Sequence, residues 1–280
     1  MPKEKETGFM LKFVRLIVTP AALLMTLTAC AGLPEAAPVQ LASHQAVYDL
    51  KQDDIHDGGG IESVRGRIVL KVEQHCDGLI VNQRMVLEIV NSEGGTVISD
   101  YLQSTYEDAD GKSMRFDMSN SINGRMVEKY RGVAKREKAK AIVTFAEPDG
   151  ESMEMPADVI FPGSHTKALI RAAEAHKHLL SAKVFDGNGT DGLSDTLAVI
   201  GKEKKLEEDN PALSKLKGMD YWPLQISFFD LSQQQTEPDY EVGMKMFKNG
   251  IASDLYLKYQ DFSLKGKVTS LKIYKADKCS

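Results

Sequence analysis

The chain contains 280 residues, which is enough for one large domain or two small ones. Its formal net charge of −5 argues against a general nucleic-acid-binding protein, because such a protein needs a basic surface to neutralise phosphates. It contains three cysteines and no C-x-x-C motif, which argues against a dithiol redox centre.

Residues 1–31 have the layout of a bacterial secretory signal. Basic side chains precede the apolar run Leu16–Leu27, and small residues follow it. The run is too short to span a membrane comfortably as a helix, and no later apolar run approaches that length. Without this segment, which carries four basic and two acidic side chains, the formal charge falls from −5 to −7. We therefore expect an exported protein.

Two cleavage sites fit the end of this signal. The sequence Leu27–Cys30 matches a lipobox, in which Cys30 would become the acylated first residue of a lipoprotein. The pair Ala29 and Ala31 instead fits ordinary signal peptidase, which would remove Cys30. Both routes leave Cys76 and Cys279 in the exported chain, and such a pair suggests one disulfide bond. We expect a periplasmic location, with a membrane anchor only if Cys30 is lipidated.

The exported part begins with a spacer and continues as one domain. Residues 32–41 are rich in proline and alanine and show no periodicity. A first strand is predicted over 42–51, and the glycines at 58–60 then interrupt regular structure. We find no internal repeat and no second apolar core, so residues 42–280 are predicted to form a single domain.

The stretch 62–91 predicts two long strands joined by a tight turn that contains Cys76. Apolar and polar residues alternate on both sides of this turn, which is typical of an antiparallel sheet with one buried face and one face in water. The predicted buried face carries Val64, Ile68, Leu70, Val72, Leu79, Val81, Met85, Leu87 and Ile89.

The rest of the chain continues this pattern with one interruption. Asp-, Asn- and Gly-containing turns separate the remaining strands, which favours a sandwich, a barrel or a curled sheet. A helix is predicted from an N-cap at Ser164 to Lys183, and its apolar stripe is suited to packing on a sheet. Residues 202–219 are predicted as a long surface loop. The remaining strands are predicted at 96–107, 112–121, 124–136, 139–146, 195–201, 221–231, 239–248, 251–264 and 267–275.

No motif in the sequence makes a convincing catalytic centre. Residues 108–113 end like a phosphate-binding loop but lack its first glycine, so they predict a turn. Residues 186–197 resemble a calcium loop, yet Asp191 and Leu197 replace its glycine and glutamate. The histidines form no H-E-x-x-H motif, and Ser164 is better explained as a helix cap than as a nucleophile. We predict no catalytic residue, metal or cofactor.

Two further stretches admit a binding role beside a structural one. Residues 131–140 are locally basic, which fits either a solvated strand and turn or a contact with an anionic envelope component. Trp222, Ile226 and Phe228 share one face of a predicted strand. Most of this face is expected in the core, and a part of it could line an apolar groove.

The chain resembles the cell envelope integrity proteins (EipB) of alphaproteobacteria. The segments that carry the resemblance are 43–51, 60–86, 106–116 and 221–230, together with the closing strands down to Cys279. The resemblance implies a periplasmic protein with a long, curled, half-barrel-like antiparallel sheet, one packed helix, and a disulfide between Cys76 and Cys279. It also implies a non-enzymatic contribution to envelope integrity. The lipobox at Cys30 departs from the family, whose members look mostly like ordinary signal-peptidase substrates.

Three functional hypotheses follow. The first is a binding module whose curled sheet holds an apolar ligand or an envelope protein partner. The second is a carrier of lipids or lipoproteins, which requires an apolar cavity and favours an unlipidated protein. The third is a cell-wall enzyme, which requires clustered carboxylates or histidines in a cleft. We expect a monomer that binds no nucleic acid and reaches the membrane only through a lipid anchor.

Overall fold

The computed structural model describes residues 39–56, 60–207, 209–231, 236–277 and 279. The predicted secretory signal, Cys30 and most of the predicted spacer lie outside the described residues.

Fifteen strands within the described residues form one antiparallel sheet, and one α-helix packs beside it. The helix is α1, Pro162–Glu174, and two short 3₁₀ helices span Gly189–Gly192 and Pro211–Leu216. The strands are β1 His44–Ile55, β2 Ile61–Gln74, β3 Gly78–Asn91, β4 Thr96–Asp108, β5 Ser113–Ile122, β6 Arg125–Arg136, β7 Lys140–Glu147, β8 Ser152–Pro156, β9 Leu179–Phe185, β10 Leu193–Ile200, β11 Lys204–Lys205, β12 Asp220–Asp230, β13 Tyr240–Phe247, β14 Ala252–Lys258 and β15 Phe262–Ile273.

The first and last strands meet in the middle of the sheet. The strand order is β8-β7-β6-β5-β4-β3-β2-β1-β15-β14-β13-β12-β10-β9, and β11 pairs with β12. One meander therefore runs outward from β1 to β8, and a second runs inward from β9 to β15. Strands β8 and β9 form the two edges of the sheet. A parallel bridge joins Ile160, which follows β8, to Val184 of β9. The sheet is curled but not closed, and the predicted mainly β fold with one packed helix is confirmed.

The predicted pair of long strands is present as β2 and β3. Val72 lies opposite Val81 and Ile68 lies opposite Met85, so the alternation places apolar side chains from both strands on the same face. Gly66 is required by a close approach, because a Cβ at this position would collide with the carbonyl oxygen of Val86.

The predicted helix is wrong at both ends. It begins at Pro162 with Phe161 as its N-cap, and the side chain of Ser164 does not cap it. Proline suits the first helical position, because its fixed φ is helical and its missing N–H has no partner there. The helix ends at Glu174, and His176 takes a positive φ of 55°. Residues 179–183, predicted as helix, belong to β9, since pairing with β10 satisfies their backbone groups.

Other predicted boundaries also need correction. The turn between the last two strands lies at 259–261 rather than at 265–266, because Gly266 sits within β15 and pairs with both Leu50 and Leu255. The turn between the strands predicted at 239–248 and 251–264 is confirmed, and its Gly250 has a φ of 80°. Strands β8, β9 and β11 were not predicted as strands.

The buried side chains form three clusters. The first joins β1, β2, β14 and β15 to apolar residues of the segment 206–216, so the predicted surface loop contributes to the core through Leu206, Leu213 and Leu216. The second lies between α1 and strands β10 and β12, and it includes Leu41, which the sequence placed in the spacer. The third, the aromatic core, contains Phe116, Phe145, Phe161 and Phe185.

Candidate functional site

A cavity of about 540 Å³ lies between strands β1–β4 on one side and β13–β14 on the other. The first residues of α1 and the segment 186–194 complete its wall. Most of the wall is apolar, because the cavity-facing positions of these strands alternate with positions on the outer face. The side chains that characterise it are Leu70, Val81, Met85, Val242, Met244 and Leu257.

One part of the cavity wall is polar and is organised around Asp186. The backbone N–H and the side-chain amide of Asn188 donate to the Asp186 carboxylate over 2.9 and 2.7 Å. The Tyr101 hydroxyl donates to the Asn188 side-chain oxygen over 2.7 Å, and the Gln103 amide donates to the Asp186 carbonyl over 2.8 Å. These bonds tie the segment before β10 to strand β4, which lies far from it in the sheet order.

The buried position of Asp186 changes its titration. Burial raises the pKa of Asp186 to about 6, although the hydrogen bonds from Asn188 work in the opposite direction. Burial also raises the pKa of Tyr101 and Tyr240, and the neighbouring charge of Asp186 adds to both shifts. Both phenols therefore stay protonated at neutral pH and can donate hydrogen bonds.

The ionisable side chains at the cavity wall are acidic or neutral. Within the described residues, the wall contains Asp186, Asp191 and Glu241 and no lysine or arginine. His44 also lies in the wall, with its Nδ1 2.7 Å from the carbonyl oxygen of Ala42. Burial lowers the pKa of His44, so it is uncharged at neutral pH.

The start of α1 is held at the cavity wall by Glu107 of β4. The backbone N–H groups of Gly163 and Ser164 each donate to the Glu107 carboxylate over 2.8 Å, and the Ser164 hydroxyl donates to it as well. Burial raises the pKa of Glu107, and these bonds lower it. Ser164 is therefore a partner of Glu107 rather than the predicted N-cap. An isolated glutamate within a strand gave no sequence signal for this role.

The predicted disulfide between Cys76 and Cys279 is present. The two Cα atoms are 5.4 Å apart, and the bond connects the β2–β3 turn to the chain that follows β15. Beside it, the Nδ1 atom of His75 lies 2.7 Å from a carboxylate oxygen of Asp277. The bond therefore ties the C-terminal segment of the chain to the turn between two of the strands that line the cavity.

The remaining sequence candidates have structural roles. Residues 108–113 form a turn in which Asp110 pairs with Lys112. Within the calcium-like segment 186–197, the Asp186 carboxylate is already used by Asn188. In the described part of the chain, His, Cys, Asp and Glu side chains form no group of three that could hold a metal ion.

The basic and aromatic stretches also find partners in the fold. Arg131 pairs with Glu147 at 2.8 Å and Lys140 pairs with Glu154 at 2.6 Å. Trp222 is 3% exposed and belongs to the core. No helix within the described residues has the length and apolar character that crossing a membrane requires.

Comparison with known proteins identifies the family. A family model described as EipB-like matches residues 35–275. The chain belongs to the EipB-like family. It is 32% identical over 274 residues to the cell envelope integrity protein EipB of Brucella abortus (strain 2308), with 96% of this chain and 98% of that protein covered. The resemblance seen in the sequence is therefore confirmed.

The fold of this EipB-like chain is also similar to a solved structure. The crystal structure of a beta-barrel-like protein of a domain of unknown function from Brucella abortus matches with a TM-score of 0.79 and 32% sequence identity. The match covers 85% of this chain and all of that chain.

Proposed function

We propose that this protein is a non-enzymatic periplasmic binding protein that supports cell envelope integrity by holding an apolar ligand inside its curled sheet. The name of the Brucella relative, which describes a cell envelope integrity protein, supports the envelope role. The Cys76–Cys279 disulfide supports an oxidising compartment such as the periplasm, because such bonds rarely persist in the cytosol.

The central cavity is the observation that carries the proposal. Protein interiors are normally close-packed, so a space of about 540 Å³ between facing strands is unusual. The volume lies in the range of small-molecule sites, and the wall combines a mostly apolar surface with a few polar groups, as such sites do. An apolar ligand would remove this surface from water and fill the space.

The arrangement of polar groups favours binding over catalysis. Nucleophilic catalysis needs a nucleophile next to a base, which a third group orients. The Ser164 hydroxyl instead donates to Glu107, which caps the start of α1. Asp186 accepts its hydrogen bonds from Asn188, and none of these bonds links it to a histidine or a serine. A lipid or lipoprotein carrier would use the same cavity, and it differs in releasing its ligand to a membrane.

The proposal is tested by filling the cavity. Val81 faces the cavity, whereas the neighbouring Ile80 lies on the opposite face of β3. We expect Val81→Trp to weaken binding of the neutral apolar probe N-phenyl-1-naphthylamine at least tenfold, and Ile80→Trp to leave it unchanged. In a strain that lacks the protein, Ile80→Trp should restore detergent resistance and Val81→Trp should not. Equal binding by both variants, or full rescue by Val81→Trp, would refute the proposed role of the cavity.

A further inference from the structure

The charge of the cavity wall specifies the ligand more closely, and this inference rests on the proposed binding function. An apolar ligand that comes from an envelope carries a polar group, which must also be accommodated. Within the described residues, the polar groups of the wall are carboxylates, amides, hydroxyls and one neutral histidine, and no lysine or arginine lines it. The wall therefore offers no positive charge to an anionic group.

The cation that binds the wall residue Glu241 is already used in an ion pair. Lys258 pairs with Glu241 at 2.9 Å, and Glu241 also accepts from the Ser227 hydroxyl over 3.0 Å. Lys258 is not part of the cavity wall. An anionic group inside the cavity would lose its hydration without gaining a positively charged partner, and it would lie near the Asp186 carboxylate. Both effects oppose binding.

The same wall suits a group that is uncharged or positive. The carboxylate of Asp186 accepts hydrogen bonds at the wall, and the side-chain amide of Gln83 can both accept and donate there. The rings of Tyr240 and Tyr259 also line it, with centroids 6.5 Å apart, and aromatic faces attract cations.

We propose that the cavity selects an amphiphile whose polar group donates hydrogen bonds and is uncharged or cationic, and that it discriminates against anionic lipids such as fatty acids. The alkyl chain lies against the leucine, valine and methionine side chains of β2, β3 and β13. The polar group lies against the acidic and amide groups contributed by β3, β4 and the segment 186–194.

Amphiphiles with the same ten-carbon chain test this selectivity. The purified, disulfide-bonded protein is titrated by calorimetry at pH 7.5 with monodecanoylglycerol, decylamine and decanoate, each below its micelle concentration. We expect the neutral glyceride and the cationic amine to bind at least tenfold more tightly than decanoate. Decanoate binding as tight as the glyceride would overturn the selectivity and leave the proposed function intact. Absence of binding by all three would count against the proposed function itself.

A charge placed in the wall provides the matched control. Gln83 faces the cavity next to Gln103 on the neighbouring strand. Gln83→Lys should tighten decanoate binding at least fivefold and weaken decylamine binding, because it supplies the missing cation. Gln83→Met should leave decanoate binding as weak as in the wild type. If Gln83→Met tightens decanoate binding as much as Gln83→Lys does, then charge does not set the preference. The comparison among wild-type titrations stands even if either variant is destabilised.

Discussion

Two regions of the same sheet bury apolar side chains in opposite ways. In the aromatic core, the ring of Phe116 packs edge-to-face on Phe145 and Phe185 with centroids 5.8 and 5.6 Å apart. Around the central cavity, leucine, valine and methionine side chains from facing strands leave about 540 Å³ unfilled. Large rings span the gap between layers, whereas shorter aliphatic side chains do not. The curled sheet is packed where aromatic rings meet, and it is hollow where mostly aliphatic side chains face each other.

The two regions also differ in what holds them together. The aromatic core is stabilised by packing between its own side chains. The cavity region has lost part of that packing, and specific connections fix its walls instead. These are the Cys76–Cys279 disulfide, the contact of Glu107 with the start of α1, and the bonds around Asp186. Mutations should therefore act through different mechanisms in the two regions.

Truncation in the aromatic core should have the largest effect. Phe185 is fully buried, so Phe185→Ala leaves a cavity among tightly packed neighbours and should lower the free energy of unfolding by about 3–5 kcal/mol. Val81→Ala only enlarges a space that already exists, and it should cost less than about 1.5 kcal/mol. Urea unfolding of both variants measures the difference. Similar costs for the two substitutions would show that the cavity region is packed as tightly as the aromatic core.

Removal of the disulfide should have the next largest effect. The bond closes a loop with a sequence separation of 203, and Cys279→Ser should lower stability by about 2–4 kcal/mol. Thermal unfolding and limited proteolysis measure this effect: the midpoint should fall and proteolysis should become faster. Export of the protein should continue. Hydrogen exchange should increase first in β1, β2 and β15 and only later in the aromatic core. A midpoint equal to that of the wild type would contradict a stabilising bond.

Loss of the carboxylate at the start of α1 should have an intermediate effect. Glu107→Ala leaves the buried N–H groups of Gly163 and Ser164 without an acceptor and should cost about 2 kcal/mol. Glu107→Gln keeps one carbonyl oxygen and should cost about half as much. Chemical unfolding and the binding of the apolar probe should both be measured, because the start of α1 lines the cavity. No loss of stability in Glu107→Ala would exclude this role of the carboxylate.

The smallest effect should be a pH dependence from Asp186. Its pKa rises from 3.8 to about 6 on folding, so the folded protein takes up the proton at a higher pH than the unfolded chain. The contribution of Asp186 to the free energy of unfolding therefore increases as the pH falls. Between pH 7.5 and 5, the wild type should gain about 1 kcal/mol of unfolding free energy relative to Asp186→Asn.

The difference in unfolding free energy between the wild type and Asp186→Asn cancels the contributions of the other titrating groups. Burial lowers the pKa of His165 to about 4, which lowers stability as the pH falls below its ordinary pKa. Because His165 is present in both proteins, its contribution cancels in the difference. Curves of unfolding free energy against pH that run parallel for the two proteins would contradict the raised pKa of Asp186.

Much of the fold could be predicted because its signals are local. The alternation around Cys76 depends only on which residues share one face of a strand, and it predicted β2 and β3. Leu179 and Leu180 misled the prediction because they continue a helical stripe, although they belong to β9. Only pairing with β10, a partner later in the chain, decides between the two structures.

From the sequence by itself, periodicity gave the mainly antiparallel sheet, and the presence of one remaining partner gave the pairing of Cys76 with Cys279. The family followed from the resemblance of whole segments, and the export signal stays a prediction. Only the tertiary structure decided that β1–β4 face β13–β14 across an open cavity, and that Asp186 and Tyr101 meet there. The physical reason is curvature: the bending of the sheet brings together residues that no local pattern connects.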